Sequence, residues 1–318
     1  MTVRSYAKIN LGLRILARRG DGFHDLVTIF HRVDLFDTLH FEVTAGGISL
    51  ESDHEDIPTD DGNLCVRAAR LLLAQQRGMG VHITLHKRVP AGAGLGGGSA
   101  NAATVLRFLP SLFGFHLPQE EVLEMATILG SDVPFFLQDG SAVARSRGEQ
   151  LEYFSWRCPW WIVLVHPGVH VSTAWAYANL RLSEAAGDVD LRQALLSASA
   201  AVSGSPPSLS SFEDGGTLTD ADSSANPSAQ KAASAFSELM HNDFEPLVMQ
   251  AHPEIQAIKK RLLNAGAVGA LMSGSGSAVY GLFSSQKQAM DCAATFPADQ
   301  LLSVTEPDFS PEYLPWDS

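Results

Sequence analysis

The sequence is short of cysteine. Cys65, Cys158 and Cys292 are the only three among 318 residues, odd in number and far apart. They form no disulfide framework and no Cys-x-x-Cys zinc spacing, which points to a reducing compartment. Positive charge is scarce as well: 22 Lys+Arg stand against 35 Asp+Glu, a formal net charge of −13. Such a chain repels nucleic acid and anionic lipid, so an anionic small substrate needs a local cationic or amide-lined site. Long apolar runs are also missing. The longest, Trp160–Val165, is far too short to span a bilayer, and the first eight residues hold no apolar signal core. The expectation is a cytoplasmic protein with a small-molecule partner, no nucleic acid and no membrane, as a monomer or weak homodimer.

What is present is an ordinary globular composition, 45% hydrophobic and 18% charged, long enough for two domains at roughly 150 residues each. Tyr6–Leu13 reads as a strand and Arg18–Gly22 as a turn, followed by strand-like pieces at Val27–Phe30 and Leu39–Val43. Asp60-Asp61-Gly62-Asn63 caps a predicted helix from Leu64 to Gln76. Val81, Ile83 and Leu85 alternate with polar residues as in a half-buried strand. From Ser99 the period becomes helical, with Ala102, Val105, Leu106 and Leu109 on one face and Pro110 as the predicted stop; Pro118–Leu129 is a second helix. Ala142–Ala144, Trp161–Val165 and Ala278–Phe283 read as strands, and helical periodicity marks Glu254–Leu263. Residues 197–230 hold 10 Ser, four acidic residues and no basic ones, the composition of a flexible insert.

The strongest signal is Pro90-Ala91-Gly92-Ala93-Gly94-Leu95-Gly96-Gly97-Gly98-Ser99-Ala100, with five glycines between a strand and a helix. Glycine lets the backbone approach an anion closely, and the helix behind offers unpaired N–H groups and the positive end of its dipole. Gly92, Gly94 and Gly97 fit the dinucleotide pattern G-x-G-x-x-G, but the acidic residue expected about 20 positions on should end a second strand. Here that region, Leu117–Glu120, opens a helix instead. A Walker A loop needs Gly-Lys-Ser/Thr, and no lysine is present. A triphosphate held without a Walker lysine fits best, against a bare glycine-rich turn.

Lys8 and Asn10 sit on the first strand; taken alone, the lysine reads as a surface residue of an edge strand, with a site role as the alternative. Asp132, after Gly130-Ser131, is either a turn-capping carboxylate or the acceptor of a hydroxyl proton in phosphoryl transfer, with Lys8 holding phosphate charge. Phe23-His24 follows a turn and suits a flat ring ligand as well as a structural role. The loop Ser273-Gly274-Ser275-Gly276-Ser277 is either a hairpin connection or a second set of amides for the same phosphates.

With these segments together, the chain resembles the GHMP kinase superfamily over most of its length. The resemblance rests on Ala7–Leu11, Arg19–His24, Pro90–Asn101, Leu129–Pro134, His166–Gly168, Asn242–Glu245 and Ser273–Gly276. Lys8–Asn10 and Gly22–His24 point, within it, to members acting on a cytidine diphosphate derivative of methylerythritol. The resemblance implies an α+β fold with a cleft between two domains: an ATP-binding N-terminal domain, 1–155, and a ferredoxin-like C-terminal domain, 156–318, carrying the insert. It implies ATP as phosphate donor with Mg2+, although no dedicated metal carboxylate is apparent. Asp132 and Lys8 fall on the catalytic positions, Pro90–Ala100 on the triphosphate loop, and Asn63, Lys87 and Ser99 on further nucleotide contacts. Asn10, Phe23, His24 and Thr173 fall around the cytidine diphosphate substrate. Phe23 departs from the tyrosine common in the family, which keeps stacking and loses a phenol hydrogen bond. The alternatives are another kinase of the superfamily, acting on homoserine, mevalonate or a sugar, and a nucleotide-binding relative without turnover.

Overall fold

The computed structural model describes residues 1–74, 78–182, 190–202 and 234–312. Its first sheet is founded on two long antiparallel neighbours, β1 (Thr2–Arg18) and β2 (His24–Thr44). The two apolar pieces expected at 27–30 and 39–43 are ends of this one 21-residue strand. The polar stretch between them does not break it, because His31, Arg32 and Asp37 are buried on polar partners of their own. β1 runs along one edge of β2. The other edge is shared, with β5 (Ser141–Ser146) pairing residues 26–30 and β4 (Gly80–His86) pairing 38–44. β3 (Gly47–Ser52), parallel to β4, and β6 (Gln150–Phe154), antiparallel to β5, complete six strands.

One face of this sheet is covered by α1 (Leu64–Leu73), α2 (Gly97–Leu112) and α3 (Gln119–Leu129), through Ala69, Leu72, Val105, Leu109 and Leu129 against Phe41, Ile83 and Leu85. Pro110 does not end α2, contrary to expectation; the helix continues to Leu112. So near a C-terminus, a proline's missing N–H and its clash with the preceding turn are confined to the last turn.

The second sheet has the order β10-β7-β9-β8, all antiparallel: β7 (Trp161–Val165), β8 (Gly269–Met272), β9 (Val279–Phe283) and β10 (Leu301–Thr305). With helices in the β7–β8 and β9–β10 connections, this is the ferredoxin-like order. Its period-two pattern sorts side chains to two cores. Ile162, Leu164, Tyr280 and Leu282 meet Ile9, Leu11 and Ile29 of the first sheet. Val163, Val165, Val279 and Phe283 face α6 (Glu245–Ala251), α7 (Pro253–Asn264) and α8 (Gln286–Ala293). The sheets change over between Phe154 and Trp161.

Four of the described helices were not anticipated: α4 (Thr173–Asn179), α5 (Leu191–Val202), α6 and α8. Residues 197–202, expected to begin the flexible insert, are the end of α5. Leu191, Leu195 and Ala198 recur at helical spacing and are buried against the core between the sheets. The rest of the insert, 203–230, lies outside the described residues. Among those described, no helix is long and apolar enough to cross a membrane.

Candidate active site

A cleft of about 340 Å³ opens where the two sheets meet, walled on one side by the glycine loop. The loop is pinned by its non-glycine residues. Ala93 and Leu95 are buried; the Ala93 carbonyl accepts from Ala278 N and the Leu95 carbonyl from Lys8 N. Between them Gly94 has φ +77°, and a Cβ there would lie 2.0 Å from the Ser273 carbonyl oxygen. Only glycine permits this contact, which seats the loop on Ser273–Ser277. That second loop is both a hairpin connection and a wall of the cleft. Asn242 Nδ2 holds it through the Met272 and Gly274 carbonyls at 2.8 Å each, and Gly274 and Ser275 line the cavity. Helix α2 starts at Gly97 with no side-chain cap, so its first N–H groups are free to face an anion.

Lys8 and Asp132 meet at the foot of this loop, with Nζ 3.5 Å from Oδ2. The Lys8 ammonium is buried and also donates to Asn10 Oδ1 (2.7 Å) and the Gly94 carbonyl (3.1 Å). It sits 4.8 Å from the centre of the Phe30 ring. Burial pushes its pKa below the ordinary lysine value, and the Asp132 charge offsets part of that. Asn10 is fixed in turn: its Nδ2 donates to Thr28 Oγ1 (2.9 Å) and its N–H to Ser273 Oγ (3.2 Å). Among the described residues Asp132 is the only carboxylate lining the cleft, against two cations, Lys8 and Arg147.

Part of the cleft wall is aromatic. His24 stacks on Tyr177 with ring centres 5.0 Å apart, and Tyr177 meets Phe244 edge-on at 4.9 Å. Burial, then Arg18, holds the His24 imidazole below its usual pKa, so it is neutral at pH 7. Burial, with Asp132 nearby, raises the Tyr177 phenol, which stays protonated. Phe23 is half-exposed at the rim, with the Arg147 guanidinium 4.8 Å above its ring centre. Thr173 Oγ1 lies 2.9 Å from Ser275 Oγ on the opposite wall.

The structure thus gathers Lys8, Asn10, Thr173, Asp132 and Pro90–Ser99 around one cavity, with Phe23 and His24 beside it. Ala100 is buried behind the loop. Asn63 and Lys87 do not line the cleft. Asn63 caps α1, its Oδ1 accepting from Cys65 N and its Nδ2 donating to the Pro58 carbonyl. Lys87 Nζ donates to the buried Asp37 carboxylate at 2.7 Å and to the Val89 carbonyl. Sequence reasoning missed Arg147, Tyr177 and Phe244. Tyr177 had a signal, since it follows Thr173 by four residues and so shares its helix face. Among the described residues no thiol lines the cleft, and burial pushes Cys65 and Cys158 up to about 12.

An uncapped glycine loop beside a lysine–carboxylate pair, set between these two sheets, defines a small-molecule phosphotransferase of the GHMP kinase class. The family described as GHMP kinases N terminal domain matches residues 63–140, and GHMP kinases C terminal matches 227–298. A 4-diphosphocytidyl-2-C-methyl-D-erythritol kinase of Chlorobium phaeovibrioides is 41% identical over 315 residues, covering 98% of this chain and 97% of its own. A crystal structure of 4-(cytidine 5'-diphospho)-2C-methyl-D-erythritol kinase superposes with a TM-score of 0.76 at 32% identity, over 97% of this chain and 100% of that one. The chain belongs to the 4-diphosphocytidyl-2-C-methyl-D-erythritol kinase family. A homoserine kinase of Cytophaga hutchinsonii, at 20% identity and TM-score 0.61 over 92% of this chain and 88% of that one, shares the fold.

Proposed function

We propose that this chain transfers the γ-phosphate of ATP to the 2-hydroxyl of 4-diphosphocytidyl-2-C-methyl-D-erythritol, giving the 2-phosphate and ADP, a step of the non-mevalonate route to isoprenoid precursors. The observation that carries the reading is the Lys8–Asp132 pair at the foot of the glycine loop, with a neutral His24 stacked on Tyr177, which lines the same cleft. The first supplies phosphoryl-transfer chemistry. The second supplies a flat, hydrogen-bonding surface of the kind a cytosine needs, and homoserine, mevalonate and galactose have no nucleobase to use it.

In this reading the amides of Gly92–Ser99 and the N-terminus of α2 hold the triphosphate. Asp132 accepts the proton of the attacking hydroxyl as its oxygen bonds to the γ-phosphorus and the bond to the β-phosphate oxygen breaks. Lys8, already fixed by Asn10 and Gly94, orients the Asp132 carboxylate and balances phosphate charge. Arg147 provides a second cation facing the substrate side. The donor set fits magnesium carried in on the triphosphate. Asp132 and the Ser99 hydroxyl are the oxygen donors beside the loop, and no group of three or more His, Cys, Asp or Glu forms a cage among the described residues. The ion would neutralise charge on the phosphate oxygens.

ADP release from Mg-ATP tests the reading, with 4-diphosphocytidyl-2-C-methyl-D-erythritol, homoserine, mevalonate and galactose as parallel acceptors. Release with the cytidylyl compound alone is the expected result. Release with another acceptor would overturn the assignment of the aromatic wall, and release with none, from folded protein that binds ATP, would overturn catalysis.

A further inference from the structure

The Asp37 carboxylate is fully buried on β2 and does not itself line the cleft, yet it grips both flanks of the glycine loop. Its Oδ1 accepts from Arg88 N (2.7 Å) and Val89 N (2.8 Å), at the entry to the loop. Its Oδ2 accepts from Asn101 Nδ2 (3.0 Å), in the first turns of α2 at the loop's exit. The same oxygen takes the Lys87 ammonium at 2.7 Å, and Lys87 returns a second hydrogen bond to the Val89 carbonyl. Side chains of both ionised partners are almost wholly out of water, 6% and 0% exposed. The ammonium lies directly beneath the helix start, 3.1 Å from where a Cβ on Gly97 would be.

We propose that Asp37 is the positioning residue of the triphosphate loop, and that Lys87 serves the nucleotide through Asp37 from beneath the loop rather than by touching phosphate. This rests on the reading of Pro90–Ser99 as the ATP cradle. The physical need is plain. Five glycines in the loop make its ordering entropically costly, and a cradle works only if its amides are already aimed. One carboxylate tying the entry and exit to the same strand shortens the free segment to the loop itself. Asn101 can reach Asp37 only when α2 is in place, and Arg88 and Val89 only when the end of β4 is, so the carboxylate couples the two. Because Lys87 is neutralised by Asp37, the loop's own attraction for the anion comes from its amides and the helix terminus, beside the charges of Lys8 and Arg147.

Binding of a non-hydrolysable ATP analogue, measured by calorimetry on the full chain, tests this. Asp37→Asn keeps the shape and the Oδ1 acceptor but turns an amide NH2 toward two donors. Its affinity for the analogue should fall by roughly ten-fold or more, the scale of losing charge-assisted hydrogen bonds. The KM for the acceptor should stay within about two-fold, since no Asp37 contact reaches the aromatic wall of the cleft. Adding Lys87→Met to Asp37→Asn removes the stranded charge, and a buried ion pair replaced on both sides is tolerated far better than one broken on one side. The double variant should therefore recover affinity to within about three-fold of the wild type. If Lys87 contacts phosphate directly, the double variant will bind as weakly as the single variant or more weakly, and the proposal is wrong. Should Asp37→Asn fail to fold, Asn101→Leu cuts only the exit tether, and a several-fold loss of analogue affinity at an unchanged acceptor KM is expected; unchanged analogue affinity overturns the proposal. A wild type that does not bind the analogue would instead refute the ATP-site reading itself.

Discussion

Lys8 and Asp132 stand 3.5 Å apart although 124 positions separate them, one on the first strand and the other in the turn before a short 3₁₀ helix, Pro134–Leu137. The lysine is buried and held by two further acceptors, whereas the carboxylate is a third exposed and opens to the cleft. That asymmetry fits the roles proposed above, a fixed cation beside an accessible carboxylate.

Replacing Asp132 by Asn should therefore lower kcat by ~10²-fold or more, with the KM for ATP changed little, as for loss of a positioned general base. Steady-state kinetics on protein of unchanged thermal stability decides it. Near-normal turnover would remove Asp132 from the chemistry.

Lys8→Ala should depress kcat more than it raises the KM for ATP, because the lost charge matters most as phosphate charge redistributes in the transition state. An effect confined to KM would make Lys8 a binding residue only.

Gly94→Ala probes the seat of the loop. The added methyl would sit 2.0 Å from the Ser273 carbonyl oxygen, on a residue at φ +77°. Overpacking of this kind costs typically 1–3 kcal/mol, and backbone oxygen cannot swing away as a side chain can. A lower melting temperature together with a raised KM for ATP is expected. A variant with both unchanged would show that the two loops are not in contact in solution.

Tyr177→Ala should raise the KM for the cytidylyl acceptor by ~10-fold or more while leaving that for ATP near its wild-type value, since a stacked base is worth about 1–3 kcal/mol. Cytidine diphosphate as a competitive inhibitor gives a second readout, and it should lose potency in parallel.

His31 carries a pH prediction of a different kind. It is fully buried beside Ser141 and Trp156, and burial, then Arg32, lowers its pKa to about 4. In the unfolded chain it titrates near the ordinary 6.5, so between those values the unfolded state binds the extra proton. Its contribution to stability is complete above pH 6.5 and is lost as pH falls toward 4, by roughly 2–3 kcal/mol. Urea unfolding of wild type and His31→Gln at pH 7.5 and 4.5 isolates this, because the variant should lack that part of the acid-side loss. Parallel losses in both proteins would contradict it.

The contiguous parts of the site were legible in the sequence. A run such as Pro90–Ser99 announces its chemistry because the backbone itself is the binding group. The ferredoxin-like half was legible through the resemblance, and two of its four strands, β7 and β9, through short continuous apolar runs; β8 and β10 were not anticipated. What stayed hidden was made by tertiary contact. Asp37 is one acid among 35, distinguished only by the two chain segments folded against it. Lys87 matched a nucleotide-contact position, yet its ammonium is turned beneath the loop by that same carboxylate. Arg147 sits in a hairpin between β5 and β6, and the second of those strands was itself not anticipated: Gln150–Tyr153 does alternate polar with apolar, but the run is only five residues long. Pro110 misled for the opposite reason: a strong local breaker was overruled by burial of the helix face around it.

Ser273, near the end of the chain, donates from its hydroxyl to the Gly94 carbonyl at 2.9 Å and accepts from Asn10 N. The consequence is one of timing. On a ribosome the first sheet, the glycine loop, Lys8 and Asp132 emerge long before the segment that seats them. A nascent chain therefore passes through a long stage in which Lys8, Asp132 and the glycine loop have been made but the loop between β8 and β9 has not, and in the proposed mechanism phosphoryl-transfer competence waits for that later segment.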